Sequence, residues 1–226
     1  MKKGIVVLCR FNSSRVPGKI LKKIADKELL LHITDRIRQT SYPFTIATSV
    51  EHSDDPIEAF CLKHNLPIFR GSLENVAERF FQAAQDLKLD YAARINGDNL
   101  FLDTDLLKTM FNDCTSFDFV SNVPGRTFPY GMSVEIVSTS FYHRLLPEIA
   151  KDPYYFEHVT SYLYKHDDMG NRKYFKNTQY PSLSQVQLAV DTPDDLNRVS
   201  EIVSKLPEGT KTYTLYQLSE IVKKWQ

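Results

Sequence analysis

Apolar positions in the first 120 residues follow two rhythms. Short continuous runs, "GIVVLC", "FTIATS", "LPIFR", "DYAARIN" and "FDFVSN", are apolar or β-branched without alternation, the pattern of strands covered on both faces. Between them lie segments with apolar residues three and four apart. "ELLLHITDRIRQT" repeats Leu30, Ile33 and Ile37. "SLENVAERFFQAAQDLK" repeats Val76, Phe80, Ala84 and Leu87, with Ser72 as its expected cap. "DDPIEAFCLKHN" opens with acids and a proline, a helix start, and "DTDLLKTMFNDC" closes the series. Strand and helix in alternation predict an α/β, single-domain, Rossmann-like fold: a mostly parallel sheet with helices on both faces.

After Asn122 the rhythm changes. "VPGRTFPYGMSVEIVS" holds two prolines and two glycines and ends in strand-like alternation, so an inserted hairpin or lid is expected. "STSFYHRLLPEIAK" and "YYFEHVTSYLYKH" then predict two helices. "RKYFKNTQ" and "VQLAV" predict two strands, and helices follow near 192–205 and 214–224. No repeat, low-complexity tract or linker interrupts the chain. One domain over 1–226 is expected, with about 123–180 as its lid, acceptor and dimerisation region.

Composition narrows the function. Lys and Arg together number 28 and so do Asp and Glu, leaving no net field to draw the whole molecule to nucleic acid or an anionic membrane. A basic site must be local. Three cysteines without close spacing (Cys9, Cys61, Cys114) argue against a disulfide framework or structural zinc and for a reducing compartment. No run reaches the ~20 apolar residues of a membrane span, so a soluble cytoplasmic protein is expected.

The local basic site is the loop after the first strand. In open parallel sheets ligands gather beyond the carboxyl ends of the strands. There "RFNSSRVPGK" concentrates Arg10, Arg15 and Lys19 with Asn12, Ser13, Ser14 and a Pro17–Gly18 turn, groups able to surround a polyphosphate. Neither G-x-x-x-x-G-K-[ST] nor G-x-G-x-x-G is present. In "RINGDNLFLD" the Asn96–Gly97 pair makes a sharp turn that exposes Asp98. In "LAVDTPDDLNRV" Asp191 ends an apolar run; its plain alternative is a helix cap. Two carboxylates on the rim that bears the cationic loop suit Mg²⁺, which takes one or two carboxylates plus phosphate oxygens.

With these motifs, and with "FRGSLENVAERFFQAA", "FPYGMSVEIVS" and "FEHVTSYLY" in the same order, nearly the whole chain resembles the sugar cytidylyltransferases. The spore-coat polysaccharide branch is nearest, and the CMP-Kdo and CMP-sialate synthetases lie further off. The resemblance implies a glycosyltransferase-A-like nucleotidyltransferase fold and a reaction of CTP with an acidic sugar to give CMP-sugar and pyrophosphate. It also implies a homodimer. Arg10, Ser13, Ser14, Arg15 and Lys19 match the family's triphosphate loop, Asp98 and Asp191 its magnesium ligands, and Arg70, Gly71 and Arg79 positions near the nucleotide. Tyr130, Gly131, Ser133, Glu135, Glu157 and His158 fall in the acceptor region. The sequence departs from the family there. "FPYGMSVE" stands where "FPDGLDVE" is usual, and "GDNLF" where "GDCPL" is usual, which points to altered acceptor choice or, as the lesser alternative, to lost activity.

Other readings compete: another nucleotide or a sugar-phosphate acceptor, a nucleotide-binding subunit without turnover, or a glycosyltransferase with Asp103 and Asp105 as its D-x-D pair. As a helix start, "DTD" places acids where the dipole favours them.

Overall fold

Six of the seven main strands point the same way, and this shared direction brings the loops that follow them to one edge. The computed structural model describes residues 1–13 and 15–224. The sheet holds β1 (Lys3–Leu8), β4 (Phe44–Ser49), β5 (Ile68–Gly71), β6 (Tyr91–Asn96), β7 (Phe119–Ser121), β8 (Glu135–Ser138) and β9 (Arg172–Tyr174) in the order β5-β4-β1-β6-β8-β7-β9. A separate two-stranded piece, β2 (Lys23–Ile24) with β3 (Lys27–Glu28), was not foreseen, nor was the short β10 (Pro207–Thr210).

β1 sits between β4 and β6, parallel to both, and is buried from Gly4 to Leu8. Its alternate side chains feed two cores. Ile5 and Val7 pack with helices α1 (Leu29–Arg38), α2 (Asp55–Lys63), α4 (Thr104–Asp113), α8 (Pro193–Lys205) and α9 (Leu215–Lys223). Val6 and Leu8 pack on the other face with α3 (Val76–Asp86), α5 (Thr139–Ile149) and α7 (Ser161–Lys165). Burial on both faces explains the continuous apolar runs.

The expected hairpin is present. β7 and β8 pair antiparallel across residues 122–134, and β8 inserts between β7 and β6 as the one reversed strand. Asn122 pins the connection, donating to the Met132 carbonyl (2.9 Å) and accepting from the Val134 amide (2.8 Å).

Four local expectations need correcting. The helix after β5 begins at Val76, capped by Asn75, whose side chain accepts from the Glu78 amide; Ser72 instead accepts from the Asn75 amide. The helix expected over 154–166 breaks into α6 (Tyr154–Glu157) and α7, because Thr160 turns inward to donate to buried Glu135 (2.8 Å). "VQLAV" makes a single bridge, Tyr130 to Gln187, rather than a strand. Asp191 is not a cap: Thr192 caps α8 in a capping box with Asp195. Among the described residues no helix is long and apolar enough to cross a membrane, and the three cysteines are buried and unpaired.

Gly125 and Gly131 both have positive φ (79° and 86°), but only Gly131 is crowded: an added Cβ would lie 2.5 Å from the Ala189 nitrogen, whereas none would lie within 4 Å of Gly125. Gly125→Ala should therefore cost about 1 kcal/mol from backbone strain alone, and Gly131→Ala about 2–4 kcal/mol because backbone must also move. Urea unfolding of the two variants checks this; equal losses would contradict it.

Candidate active site

The loop after β1 is held by backbone contacts and one buried acid. The Phe11 carbonyl accepts from the Ser13 amide (3.0 Å) and the Gly18 amide (2.9 Å), folding the loop back on itself. Gly18 has φ 66° and lies against the Phe11 ring, a conformation that favours glycine. A 3₁₀ turn over Lys19–Leu21 follows. Asp54, before α2 and 1% exposed, accepts from the Phe11 amide (2.7 Å), Thr48 Oγ1 (2.8 Å) and the Ser49 amide (2.9 Å). Burial works to raise its pKa, but hydrogen bonds from Ser49, Phe11 and Thr48 outweigh it and hold the carboxyl below the usual range. Asp54 thus ties the loop to the end of β4.

Lys19 is the meeting point of three distant segments. Its Nζ donates to Asp98 Oδ2 (2.8 Å), the Val190 carbonyl (2.6 Å) and Asp191 Oδ1 (3.4 Å). Arg15 reaches Asp191 as well, at 3.1 Å. Asp98 gets there because Gly97 lets the β6 turn press on the end of β1: a Cβ at Gly97 would sit 2.5 Å from Cys9 Sγ. Burial pushes the Cys9 thiol well up, so it stays a protonated packing group.

These groups border a cleft of about 380 Å³ whose lining includes Arg10, Ser13, Arg15, Lys19, Arg79, Asn96, Gly97, Asp98, Glu157, His158 and Asp191. Arg10 pairs with Glu157 across it at 3.1 Å, both half exposed. Arg79 is buried and donates to the Ser72 carbonyl (2.7 Å); burial lowers its pKa. Gly71, at the end of β5, packs against Arg79, leaving 3.0 Å between its missing Cβ and Arg79 Cγ. Asn12 is exposed on the loop, and Ser14 lies outside the described residues.

Other expected site residues lie elsewhere. Arg70, matched to the nucleotide, spends its guanidinium on Asp55 (2.7 Å), Glu58 (2.6 Å) and the Ser49 and Glu51 carbonyls (2.8 and 2.9 Å), and it does not line the cleft. Glu135, matched to the acceptor, is 3% exposed and takes up Arg94, Thr160 and Tyr164, so its carboxylate is consumed internally. Tyr130, Gly131 and Ser133 lie outside the cleft lining; the Arg126 guanidinium stacks 4.6 Å over Tyr130 and donates to Ser133 Oγ (3.4 Å). Asp103 caps α4, accepting from the Asp105 and Leu106 amides, which accounts for "DTD" without a metal.

Sequence reasoning missed three residues. Arg94 lines the cleft from the middle of β6. Asp54 anchors the loop, and Gln187 donates to Asp191 Oδ2 (3.3 Å). The acid-rich start of α2 was visible for Asp54; no local signal marked the other two, whose partners are far away or on a bridge.

The donor set at Lys19 fits a hard divalent cation. Asp98 and Asp191 already share one cationic group, so a single ion can meet both carboxylates. Among the described residues no three or more His, Cys, Asp or Glu gather as a metal cage. An ion here therefore needs phosphate and water oxygens to complete its shell, the habit of Mg²⁺.

The chain matches the family model described as cytidylyltransferase over residues 5–219. It is 29% identical over 213 residues to the spore coat polysaccharide biosynthesis protein SpsF of Bacillus subtilis, covering 90% of this chain and 87% of that one. A solved cytidylyltransferase from Leptospira borgpetersenii superposes with a TM-score of 0.90 at 26% identity, covering 99% and 94%. A CMP:2-keto-3-deoxy-manno-octonic acid synthetase solved in complex with CTP shares the fold, with a TM-score of 0.67 at 16% identity over 90% and 99%.

Because the folded pKa of Asp54 is depressed, its contribution to stability is complete above the ordinary carboxylate pKa of about 4 and is lost as pH falls through the lower folded value. Asp54→Asn should lower unfolding stability by about 2–3 kcal/mol near neutral pH, and the gap should close on acidification. Denaturant titrations across acidic pH measure it; a gap that stays constant with pH would rule out the charged anchor.

Proposed function

The chain belongs to the cytidylyltransferase family, and on that premise we propose that it transfers CMP from CTP to an acidic, ulosonate-type sugar for surface polysaccharide synthesis, releasing pyrophosphate. The observation that carries this is the single contact in which Lys19 of the first loop meets both Asp98 and Asp191. The SpsF relative, named for spore coat polysaccharide, and the CTP-bound neighbour in fold support the nucleotide and the pathway class.

An acceptor hydroxyl oxygen bonds to the α-phosphorus of CTP, the bond from that phosphorus to the bridging oxygen breaks, and pyrophosphate leaves. The hydroxyl proton passes to water in the open cleft. Negative charge builds on the bridging and α-phosphate oxygens, so fixed cations supply most of the catalysis. Lys19 and Arg15 exchange their carboxylate partners for phosphate oxygens when the triphosphate enters, and Arg10 does the same with Glu157. Ser13 and Asn12, with Ser14 by its match to the family's loop, donate to phosphate oxygens, and Arg79 adds a buried positive charge beside them. Asn96 and Gly97 shape the turn that presents Asp98. Asp98 and Asp191, released by Lys19, would hold Mg²⁺. Held there, the ion would supply Lewis acidity and a template for the two substrates.

Glu157 and His158 face the same cleft and orient the acceptor. Tyr130, Gly131 and Ser133 act one layer out: Tyr130 bridges to Gln187, which steadies Asp191. The reading places the enzyme in the cytoplasm, where nucleoside triphosphates are at hand, as a homodimer.

Pyrophosphate release should be fastest when CTP, among four nucleoside triphosphates, is paired with a ulosonic acid. Preference for another nucleotide or for a sugar phosphate would overturn the assignment. Asp98→Asn and Asp191→Asn should each lower that rate by at least about 10²–10³-fold while circular dichroism stays unchanged. Full activity in either variant would refute its role.

A further inference from the structure

We propose that Arg94 is the carboxylate-binding residue for the acceptor. The proposal rests on the CMP-transfer reading above and adds the chemical group by which the acceptor is recognised.

Arg94 occupies the middle of β6, in register with Val6 of β1 and Glu135 of β8. Its neighbours on that side of the sheet, Val6, Ala92 and Val137, belong to the core under α3 and α5. Ile20 and Val190, which flank the Lys19 contacts, belong to the opposite core. The cleft therefore straddles the edge of the sheet. The triphosphate loop and its two acids stand toward one face, and Arg94 opens from the other, in a lining that it shares with Glu157 and His158.

A guanidinium carries five N–H groups. Arg94 spends one, from Nη1, on Glu135. Nε is buried without a partner, and Nη2 has none among the described residues. Its side chain is 18% exposed and lines the cleft. Buried donors are nearly always satisfied, so a guanidinium left this incomplete at a cleft wall fits a ligand that completes it. Nε is sealed from the cleft as well as from water, so the part of the fork open to a ligand is its terminal end, where Nη2 has N–H groups to give to a carboxylate.

Glu135 fixes that fork. Its carboxylate also accepts from Thr160 Oγ1 (2.8 Å) and Tyr164 OH (2.7 Å), and Tyr164 is held in turn by Ser121 (2.6 Å). With three donors from β6 and α7 and only 3% exposure, the acid is closed to a substrate, and it anchors a cation aimed at one. This gives a physical role to the glutamate that the sequence placed at the acceptor. Arg79, the other cleft-lining arginine with a partnerless buried Nε, stands on α3 on the same face as Arg94 but beside Cys9 and Arg10 where the first loop begins, and its Nη1 is held by the Ser72 carbonyl.

The test uses the full chain with CMP bound and sodium pyruvate, the smallest 2-oxo acid, as probe. Nitrogen-detected NMR of the arginine side chains should show the Arg94 Nε resonance move saturably with pyruvate below about 0.1 M and stay still with methyl pyruvate. No movement, or equal movement with inorganic phosphate, would overturn the proposal. Removing Arg94 alone strands a buried acid, so the kinetic variant is Arg94→Gln with Glu135→Gln, which removes both charges together and leaves a polar side chain at each position. With the best ulosonic acid from the pyrophosphate screen, its KM should rise on the order of 10–100-fold while KM for CTP changes less than about twofold. A parallel rise in both would contradict the assignment. If pyruvate moves Arg94 but no acid accepts CMP, the carboxylate site stands and the CMP-transfer reading is what fails.

Discussion

Lys19 bonds at once to Asp98, Asp191 and the carbonyl before Asp191, joining the first loop, the end of β6 and the approach to α8. Two carboxylates this close repel unless a cation stands between them. Here the Lys19 ammonium, with Arg15 beside it, is that cation. Its side chain and that of Asp98 are mostly withdrawn from water, which strengthens the attraction. On the proposed reading the same charge pattern would accept a divalent ion with a triphosphate, the cations passing to the phosphates as the acids pass to the metal.

The sheet explains why these groups meet. Parallel strands bring the ends of β1, β4 and β6 to one edge. Gly97 and Gly18 allow backbone to close where a side chain would not fit, and Asp54 holds the loop from beneath. The reversed strand β8 backs Arg94 from behind the cleft, since it places Glu135 opposite Arg94 and draws Thr160 and Tyr164 to that carboxylate. The break between α6 and α7 follows, and it turns Glu157 and His158 toward the cleft. One inserted strand thus accounts for a buried ion pair, a broken helix and two cleft residues.

Much of this was legible in the sequence because it is local. Continuous apolar runs named the five strands of the first half, and helical spacing named the helices between them. The loop "RFNSSRVPGK" and the turn before Asp98 announced themselves by composition. What escaped depended on distant partners. Arg94 read as a strand residue, since Glu135 lies 41 positions on. Glu135 read as a substrate contact because nothing nearby shows that Thr160 and Tyr164 consume it. Arg70 read as a nucleotide residue although Asp55 and Glu58, visible in the preceding helix, claim it. The helix over 154–166 looked continuous, as its aromatic spacing is helical and the inward pull on Thr160 is tertiary.

The most direct measurement is a crystal structure grown with CTP and Mn²⁺, with the ion located by its anomalous scattering. The account predicts the ion bonded to both Asp98 and Asp191, with Lys19 withdrawn from them onto the phosphates. An ion out of reach of both acids, or a triphosphate lying away from the first loop while Lys19 keeps its carboxylates, would contradict it.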